Sequence, residues 1–438
     1  MGEELGRSAV LLRALQEEQE QLMNILIWLQ RDLRLHDNEI FHRAGQEGHH
    51  ILPVFVFDET ESMAFPSGLS RWSENKKAFL QECLSDLRSS LSAFGVPLLY
   101  REGDTVQVLS ELFAAHSIDE VWFTDTAGTE EQRRQEKLCQ KLAHRSFSGQ
   151  SLLHPDDLPF KEEACPRVFT AFRKKVEKYG CYRDPLPTPS VLRPIAARFE
   201  DFLPDPSERS IHPHSAFPFR GGESAGLDRL EEWMWKEDRL REYKETRNGM
   251  LGTSYSSKFS PWIAWGCLSP KFILNEIRRY EEERISNSST YWLIFELLWR
   301  DFFHFTWRKE RGHFFKEQEE AHIRSGRSLL LWQEGRTGQD FVDAHMRELL
   351  HTGFMSNRGR QNVASYLVHA LKEHWLLGAQ WFEHSLIDYE VCSNYGNWTY
   401  VAGVGNDPRD HRVFNPRIQA ERYDPDKRYV HTWIDKKQ

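Results

Sequence analysis

The chain is 438 residues long, with 39% hydrophobic and 28% charged residues and a formal net charge of −9. This length is too great for one ordinary core, so we expect two domains. The longest apolar runs, such as residues 25–29, are far too short to cross a bilayer, which excludes a membrane-spanning protein. The acidic balance excludes a globally basic surface, so nucleic-acid binding would need a local patch.

Residues 1–22 lack the features of a targeting signal. They are rich in Glu and Gln and have neither the basic and apolar regions of a signal peptide nor the Arg and Ser content of a transit peptide. The six cysteines form no CxxC pair and no Cys/His cluster at zinc spacing. We therefore expect a cytoplasmic protein with reduced thiols and no metal site, in which residues 1–22 are a poorly ordered extension.

Short apolar runs alternate with amphipathic stretches over residues 23–158. The runs are NILIWL, ILPVFVFD, PLLYREG and DEVWFTD. Between them, residues 75–91 carry apolar side chains at helical period, and strands that alternate with helices predict a parallel, doubly wound sheet. No GxGxxG motif follows the first strand, so the expected Rossmann-like α/β domain lacks the dinucleotide fingerprint.

The rest of the chain shows a different pattern. Residues 159–226, which are rich in Pro and Ser from residue 184 onward, predict an inter-domain connection. Residues 227–438 carry helical periodicity with almost no strand-like alternation, which predicts an all-α second domain.

A hydroxyl-rich segment lies directly before a predicted helix. Ser256, Ser257, Lys258 and Ser260 precede Pro261, which suits the first helical position, and Ser260 suits the N-cap. Free backbone N–H groups beside hydroxyls and a lysine can bind a diphosphate. Taken alone, these residues are more often explained by simple capping of the helix.

Residues 291–307 place an acid, an indole and a guanidinium on one helix face. Glu296, Trp299, Arg300 and Phe303 fall at i, i+3, i+4 and i+7. In a functional reading, Glu296 exchanges a proton with a bound base on which Trp299 stacks. The alternative is a surface ion pair between Glu296 and Arg300 beside a core tryptophan.

Two later segments are rich in amides, charges and aromatic rings. Residues 353–362 contain Asn357, Arg358 and Arg360, and residues 388–400 contain carboxylates, asparagines and aromatics within a dozen positions. Such groups can orient a heterocycle and bind phosphate. The alternatives are a solvated basic surface and a turn rich in Asn and Gly.

Together these segments resemble the photolyase/cryptochrome family, and specifically its DASH branch. The strings that carry the resemblance are QRDLRLHDN, YSSKFSPW, FELLWRDFF, GFMSNRGRQNVASY and DYEVCSNYGNWTYVAGVGNDP. The resemblance extends over residues 23–435. It implies an N-terminal α/β domain, which begins with the motif of Arg31, Asp32, Arg34 and Asn38, and a helical domain that holds FAD.

The resemblance also implies roles for individual residues. The FAD site would comprise Tyr243, Ser256, Ser257, Lys258, Ser260, Glu296, Arg300, Asn357, Arg358, Asp388, Glu390 and Asn394. Asn394 would lie near the flavin N5, and Glu296 would face both the adenine and the DNA lesion. Trp299 and Tyr400 would flank a flipped pyrimidine dimer, Gln361 would line the same cavity, and Arg360 would contact the DNA.

The implied activity is that of a monomeric, light-driven lyase. Reduced, photoexcited flavin gives an electron to a cyclobutane pyrimidine dimer, the ring splits, and the electron returns. A lesion in single-stranded DNA is easier to extrude, which suits the preference of the DASH branch. The alternative is a blue-light photoreceptor with little or no repair activity.

Photoreduction in this family uses a tryptophan chain, and Trp398 and Trp375 match its inner and middle members. His322 stands at the outer position, where relatives have Trp. Either another aromatic residue, Trp332 or Trp381, substitutes for it, or photoreduction is impaired. A second departure is Glu390, where Asp is usual.

The DASH branch commonly binds 5,10-methenyltetrahydrofolate as an antenna pigment. Glu82 matches the position that would bind its pterin ring. The alternative is a glutamate on a helix surface that has no ligand.

Overall fold

A parallel sheet forms the centre of the first half of the molecule. The computed structural model describes residues 22–199, 209–310, 326–405 and 413–434. The strands are β1 (Asn24–Leu29), β2 (His50–Asp58), β3 (Leu99–Gly103), β4 (Glu120–Thr124), β5 (His144–Phe147) and β6 (Arg193–Pro194). Their order is β3-β2-β1-β4-β5, and β6 pairs with the start of β2. Every pairing is parallel, so the predicted doubly wound sheet is confirmed.

Helices cover both faces of this sheet. They are α1 (Glu39–Glu47), α2 (Glu59–Ser62), α3 (Glu74–Ser92), α4 (Thr105–Ala115) and α5 (Thr129–Cys139). Along β1, Ile25 and Ile27 belong to one core cluster, whereas Leu26 and Trp28 belong to another, as the two-residue period of a strand requires. The two clusters lie on opposite faces, and the first continues without a break into the helical half.

The second half is helical throughout its described residues. Its helices are α6 (Phe169–Tyr179), α7 (Glu223–Leu230), α8 (Tyr243–Thr246), α9 (Ser260–Ala264), α10 (Pro270–Glu283), α11 (Ser288–Glu310), α12 (Arg327–Gln333), α13 (Asp340–Thr352), α14 (Asn357–Ser365), α15 (Trp375–Ser385), α16 (Val391–Ala402), α17 (Pro416–Tyr423) and α18 (Arg428–Trp433). This confirms the predicted order of an α/β half followed by a helical half.

The elements not anticipated from the sequence include β5 and α6. β5 is an edge strand whose first three residues are exposed and polar, so it carries no apolar run. Helix α6 lies inside the predicted connection 159–226, and it buries Phe169, Phe172 and Val176. Phe172 packs against two phenylalanines of α11, so this part of the connection belongs to the helical core.

The opening motif joins the two halves. Arg34 is buried and donates hydrogen bonds to the carbonyl oxygens of Gly266 (2.8 Å) and Gly149 (3.1 Å). His36 Nδ1 lies 2.6 Å from a carboxylate oxygen of Glu223. A Cβ at Gly266, where φ is +70°, would lie 2.0 Å from the carbonyl oxygen of Arg31, so only glycine permits this approach. We call this contact region the seam.

Candidate functional site

One cavity in the helical half collects most of the predicted site residues. Its walls come from the loop before α9 and from α11, α14 and α16, together with the segment that connects α15 to α16. The predicted residues that line it are Tyr243, Ser256, Ser257, Lys258, Ser260, Glu296, Asn357, Arg360, Gln361, Asp388, Glu390, Asn394 and Trp398. The structure therefore brings together segments that are more than a hundred residues apart in the sequence.

The hydroxyl-rich loop forms one end of the cavity. Helix α9 begins at Ser260 with Phe259 at the N-cap, and Phe259 makes no side-chain capping bond. The prediction that Ser260 caps a helix beginning at Pro261 is therefore wrong by one position. Ser260 instead donates a hydrogen bond from its hydroxyl to Oδ2 of Asp388, at 2.7 Å. Its side chain thus orders the cavity wall rather than the helix end.

Lys258 is the most unusual residue of this loop. Its side chain is buried, its φ is 65°, and Nζ has no hydrogen-bond partner among the described residues. Nζ lies 2.9 Å from the ring centroid of Tyr255. Burial lowers the pKa of Lys258 well below its usual value, whereas Glu348 acts in the opposite direction. A buried lysine whose Nζ has no hydrogen-bond partner among the described residues is a candidate binding group for an anionic ligand.

Asp388 holds two segments of the wall together. Its side chain is 1% exposed, and Oδ2 also accepts a hydrogen bond from Nη2 of Arg360 at 2.8 Å, while Oδ1 has no partner. Arg360 donates a second bond from Nε to the Met355 carbonyl oxygen, at 2.9 Å. Arg360, which was predicted to contact DNA, is therefore engaged inside the cavity wall.

Helix α16 presents its first turn to the cavity. Glu390 is its N-cap and accepts hydrogen bonds from the backbone N–H groups of Cys392 (2.9 Å) and Ser393 (2.8 Å). Although burial acts to raise its pKa, Arg300 and Ser393 hold the pKa of Glu390 below its usual value. One turn later, Asn394 donates from Nδ2 to the Ala379 carbonyl oxygen at 3.0 Å, which leaves its own oxygen as an acceptor.

Glu296 pairs with an arginine that the sequence reasoning missed. The partner is Arg247, which also lines the cavity, and not Arg300. Burial raises the pKa of Glu296, and Arg247 partly offsets that rise. Arg300 donates to the Gln150 carbonyl oxygen instead and does not line the cavity, although it was predicted to be an FAD contact. No spacing in the sequence pairs Arg247 with Glu296, since they lie 49 positions apart.

Trp299 and Tyr400 lie together but outside the cavity wall. Their ring centroids are 5.7 Å apart with planes at 78°. Phe169 of α6 stacks on Trp299 at 3.7 Å with an interplanar angle of 14°, and neither Trp299 nor Tyr400 lines the cavity. One face of Trp299, which was predicted to border a flipped base, is therefore covered by Phe169 of the same chain.

Four cations and two aromatic rings contact one another beside residues that line the cavity. Arg358 donates to Gln361 at 2.9 Å and to Asn248 at 3.0 Å, and its guanidinium lies 4.6 Å from the ring centroid of Tyr423. Arg358 therefore borders the cavity without lining it.

The cations, which we call the cationic rim, are Lys244, Arg247, Arg358 and Arg422, and the rings are Trp292 and Tyr423. This is the local basic patch that an acidic chain would need for nucleic-acid binding.

The aromatic neighbours of Trp398 differ from the predicted chain. Trp398 lines the cavity, and its ring centroid lies 6.3 Å from that of the fully buried Trp332. Trp375 lies instead beside Tyr395, at 6.5 Å between centroids, and Trp381 stacks on His384. His322 lies outside the described residues. Of the two substitutes predicted for the outer position, Trp332 thus lies beside the inner member, Trp398, and Trp381 lies beside His384.

Glu82 lies away from the cavity and already has partners. Its Oε2 accepts a hydrogen bond from the backbone N–H of Gly221 at 2.7 Å, and its Oε1 is 3.6 Å from Nε of Arg209. The carboxylate thus links α3 to the segment before α7 rather than lying free on a helix surface.

Two further classes of site were tested on the described residues. Within that part of the chain, no group of three or more His, Cys, Asp or Glu side chains is arranged to hold a metal ion. In the same residues, no helix combines the length and the hydropathy needed to span a bilayer.

Two family models match the chain, one in each half. Residues 25–190 match the model described as DNA photolyase, and residues 292–438 match the FAD binding domain of DNA photolyase. Both halves thus match models of DNA photolyases.

Relatives match the chain over nearly its whole length. A cryptochrome DASH from Synechocystis sp. is 43% identical over 432 residues, which cover 94% of this chain and 87% of the relative. A solved Synechocystis sp. PCC6803 cryptochrome has a TM-score of 0.89 at 42% identity and covers 95% of this chain and 89% of its own. A bacterial class III photolyase from Agrobacterium tumefaciens has a TM-score of 0.80 at 28% identity, with coverages of 94% and 86%.

Proposed function

This chain belongs to the photolyase and cryptochrome family, in its DASH branch, and on that premise we propose that it repairs cyclobutane pyrimidine dimers with light and FAD. The proposed substrate is preferentially single-stranded DNA, and the protein acts as a cytoplasmic monomer. The observation that carries the proposal is the pair of buried, unpartnered atoms in one cavity, Lys258 Nζ and Asp388 Oδ1. A cation and an acceptor in one wall fit the two ends of a flavin nucleotide.

The residues of the cavity fit FAD by their chemistry. Ser256, Ser257 and Lys258 would bind the diphosphate, with hydroxyls and an ammonium at the start of a helix. Asp388 offers an acceptor for a ring N–H group, and Asn394 offers an amide oxygen. A bound, reduced FAD would supply light-driven electron transfer to the dimer, with no net redox change.

The protein side chains would orient the substrate and control its protons. We assign Glu296 to the hydrogen bond with the lesion, since its carboxyl group lines the cavity and burial raises its pKa above the usual value. Arg247 would hold that carboxyl in place. Trp299 and Tyr400 would border the flipped bases with the ring surface that Phe169 leaves open.

The cationic rim supports DNA as the partner. Lys244 and Arg422 are exposed, and Arg247 and Arg358 are partly exposed, so all four would be accessible to phosphate groups of a bound strand. An extruded nucleotide is less costly to obtain from a single strand than from a duplex, by a few kcal/mol. This difference supports the proposed preference for single-stranded lesions.

We also propose 5,10-methenyltetrahydrofolate as an antenna at Glu82. Because Oε1 of Glu82 lies 3.6 Å from Arg209 and Oε2 has one backbone donor, the carboxylate keeps acceptor capacity for the amino group of a pterin. The proposal rests on the family resemblance at this position.

The deciding experiment illuminates the reduced protein with an oligonucleotide that contains one thymine dimer, as a single strand and as a duplex. We expect restored thymines, faster in the single strand. If neither substrate is repaired although FAD is bound, the proposal is wrong and the alternative, a photoreceptor without repair activity, is favoured. If FAD does not bind at all, both functions are excluded.

A further inference from the structure

The connection between helices α15 and α16 forms one wall of the cavity without belonging to either helix. It comprises residues 386–390, and Leu386, Asp388, Tyr389 and Glu390 all line the cavity. Asp388 and Glu390 belong to the group of residues assigned to the flavin ring, and we call this part of the cavity the ring end. Because the connection has no helical or strand hydrogen bonds of its own, its backbone must be held by groups from elsewhere in the chain.

Arg31, which follows strand β1, reaches this connection across the seam. Its Nη1 donates a hydrogen bond to the carbonyl oxygen of Tyr389 at 3.2 Å, although Arg31 does not itself line the cavity. This carbonyl belongs to the peptide group between Tyr389 and Glu390. Since a peptide group is planar, a bond that fixes its oxygen also fixes the backbone nitrogen of Glu390. Arg31 therefore acts on the backbone that leads into helix α16.

Trp265 holds both Arg31 and the same connection. The guanidinium of Arg31 lies 4.0 Å from the ring centroid of Trp265, and the indole Nε1 donates a hydrogen bond to the carbonyl oxygen of Ile387 at 3.0 Å. Trp265 is itself buried, and its carbonyl oxygen accepts a hydrogen bond from the backbone N–H of Leu33 at 3.2 Å. Arg31 and Trp265 thus bind two carbonyl groups of one connection and fix each other by a cation–π contact.

The ring of Tyr389 is held by a separate set of groups. Its hydroxyl donates a hydrogen bond to Oε2 of Glu383 at 2.8 Å, and Nζ of Lys76 lies 4.5 Å from its ring centroid. Lys76 in turn donates to the carbonyl oxygen of Glu383 at 2.8 Å. These contacts fix the side chain of Tyr389, whereas Arg31 acts on its carbonyl group. Removing the donor of Arg31 should therefore release the peptide group before Glu390 while the tyrosine ring stays in the core.

We propose that Arg31 is a positioning residue for the ring end of the cavity, which it keeps in shape from across the seam. By fixing the peptide group before Glu390, it sets the direction of that side chain and the start of α16, from which Asn394 lines the cavity. The inference rests on the proposed binding of FAD. It gives the α/β half a part in flavin binding that is separate from the proposed antenna site.

The test compares two ligands that occupy different lengths of the cavity. The probes are FAD and ADP, added to the full-length protein freed of flavin, because ADP has the adenine and the diphosphate of FAD but no flavin ring. Arg31→Met keeps an unbranched apolar side chain against Trp265 and removes the donor. It should bind FAD about tenfold more weakly than the native protein and bind ADP with unchanged affinity. Calorimetry, or competition between the two ligands, measures both affinities.

A second arginine that joins the two halves provides the matched control. Arg308 is also partly buried, with Nη1 2.6 Å from Oδ2 of Asp125 and Nε 3.0 Å from Oε2 of Glu162. Its ionic partners lie outside the connection 386–390, so Arg308→Met should leave both affinities unchanged. Arg31→Lys keeps a cation and a donor but loses the planar fork of the guanidinium, and its FAD affinity should lie between those of the native protein and Arg31→Met.

The outcomes separate this inference from the proposed function. A native protein that binds no FAD contradicts both. If the native protein binds FAD and Arg31→Met binds it equally well, only the inference is overturned. Equal losses of FAD and ADP affinity in Arg31→Met, or the same loss of FAD affinity in Arg308→Met, would show a general effect on the fold and would also overturn it. Should Arg31→Met not fold, Arg31→Lys decides by the same comparison.

Discussion

Asp388 and Ser260 are joined by a hydrogen bond of 2.7 Å across 128 residues of sequence, and this bond links the two walls of the cavity. Asp388→Ala removes the acceptor of both Ser260 and Arg360. We expect the purified variant to retain far less FAD, because a hydrogen bond to a charged group contributes about 1.5–3 kcal/mol. The ratio of flavin to protein absorbance measures the loss. Ser260→Ala, which leaves the carboxylate in place, should have the smaller effect; a variant Asp388→Ala with full FAD content would contradict this assignment.

Glu296 and Arg247 should separate binding from repair. Glu296→Ala should keep FAD and lower the rate of dimer repair by about 10²-fold, the usual contribution of a positioned acid or base. Arg247→Ala leaves Glu296 without its ionic partner, so its pKa should rise further. Single-turnover repair under chemical reduction checks both variants. Equal repair by native protein and Glu296→Ala would remove Glu296 from the mechanism.

Trp398 should control the photoreduction of the flavin but not the repair reaction itself. Trp398→Phe is expected to block photoreduction, measured by absorbance under blue light with an external thiol, and to spare repair by protein reduced with dithionite. Since Trp332 lies 6.3 Å from Trp398, Trp332→Phe should also slow photoreduction. Trp381→Phe is the matched control, because Trp381 stacks on His384 elsewhere. Normal photoreduction in Trp398→Phe would refute this route.

The sequence predicted the elements well where the pattern was repeated along the chain. The buried runs of β1, β2 and β4 and the periodic helix α3 agree within one or two residues with the structure. The edge strand β5 was missed because three of its residues face solvent, and α6 was missed because the whole of residues 159–226 was assigned to the inter-domain connection.

The site was predictable only as far as residue type and resemblance allow. Lys258, Asp388 and Asn394 were placed in one cavity, as their motifs implied. The partner of Glu296 was not predictable, because the pairing with Arg247 depends on how α8 packs on α11, and no local spacing encodes it. For the same reason, the sequence could not show that Phe169 covers Trp299.

Asp301 should matter for stability rather than for chemistry. Its buried carboxylate accepts hydrogen bonds from the backbone N–H groups of Leu152 (2.9 Å) and Leu153 (2.8 Å). In Asp301→Asn, an amide NH₂ group replaces one acceptor, so the free energy of unfolding should fall by about 1–3 kcal/mol in urea titrations. The exposed Asp340→Asn should cost far less. An equal loss of unfolding free energy in both variants would show that the hydrogen bonds from Leu152 and Leu153 to Asp301 contribute little to stability.

The carboxyl group of Asp301 should also affect how the free energy of unfolding depends on pH. Burial raises the pKa of Asp301 to about 6. A raised pKa in the folded state means that the stabilisation is complete below the unfolded value of about 4 and is lost as the pH rises through about 6. The decline in stability over that interval should be shallower in Asp301→Asn, and an identical slope would contradict the assignment.

The cationic rim should set the salt dependence of DNA binding. Arg358→Ala and Arg422→Ala should each weaken binding to undamaged single-stranded DNA and reduce the slope of log K against log salt by about 0.7, the value for one phosphate contact on a single strand. Fluorescence anisotropy at several salt concentrations measures both. Arg43→Ala, on a helix of the α/β half, is the control. Slopes equal to that of the control would exclude the rim as the phosphate contact.

The seam restricts which sequence changes this protein can accept during evolution. Arg34, His36 and Glu223 are buried, and each finds its partner in another segment, so a change on one side leaves a polar group without a partner. Because one hydrophobic core also runs through both halves, neither half can be exchanged for that of a distant relative without matching changes opposite it. We expect the two halves to be inherited together, as one unit of recombination.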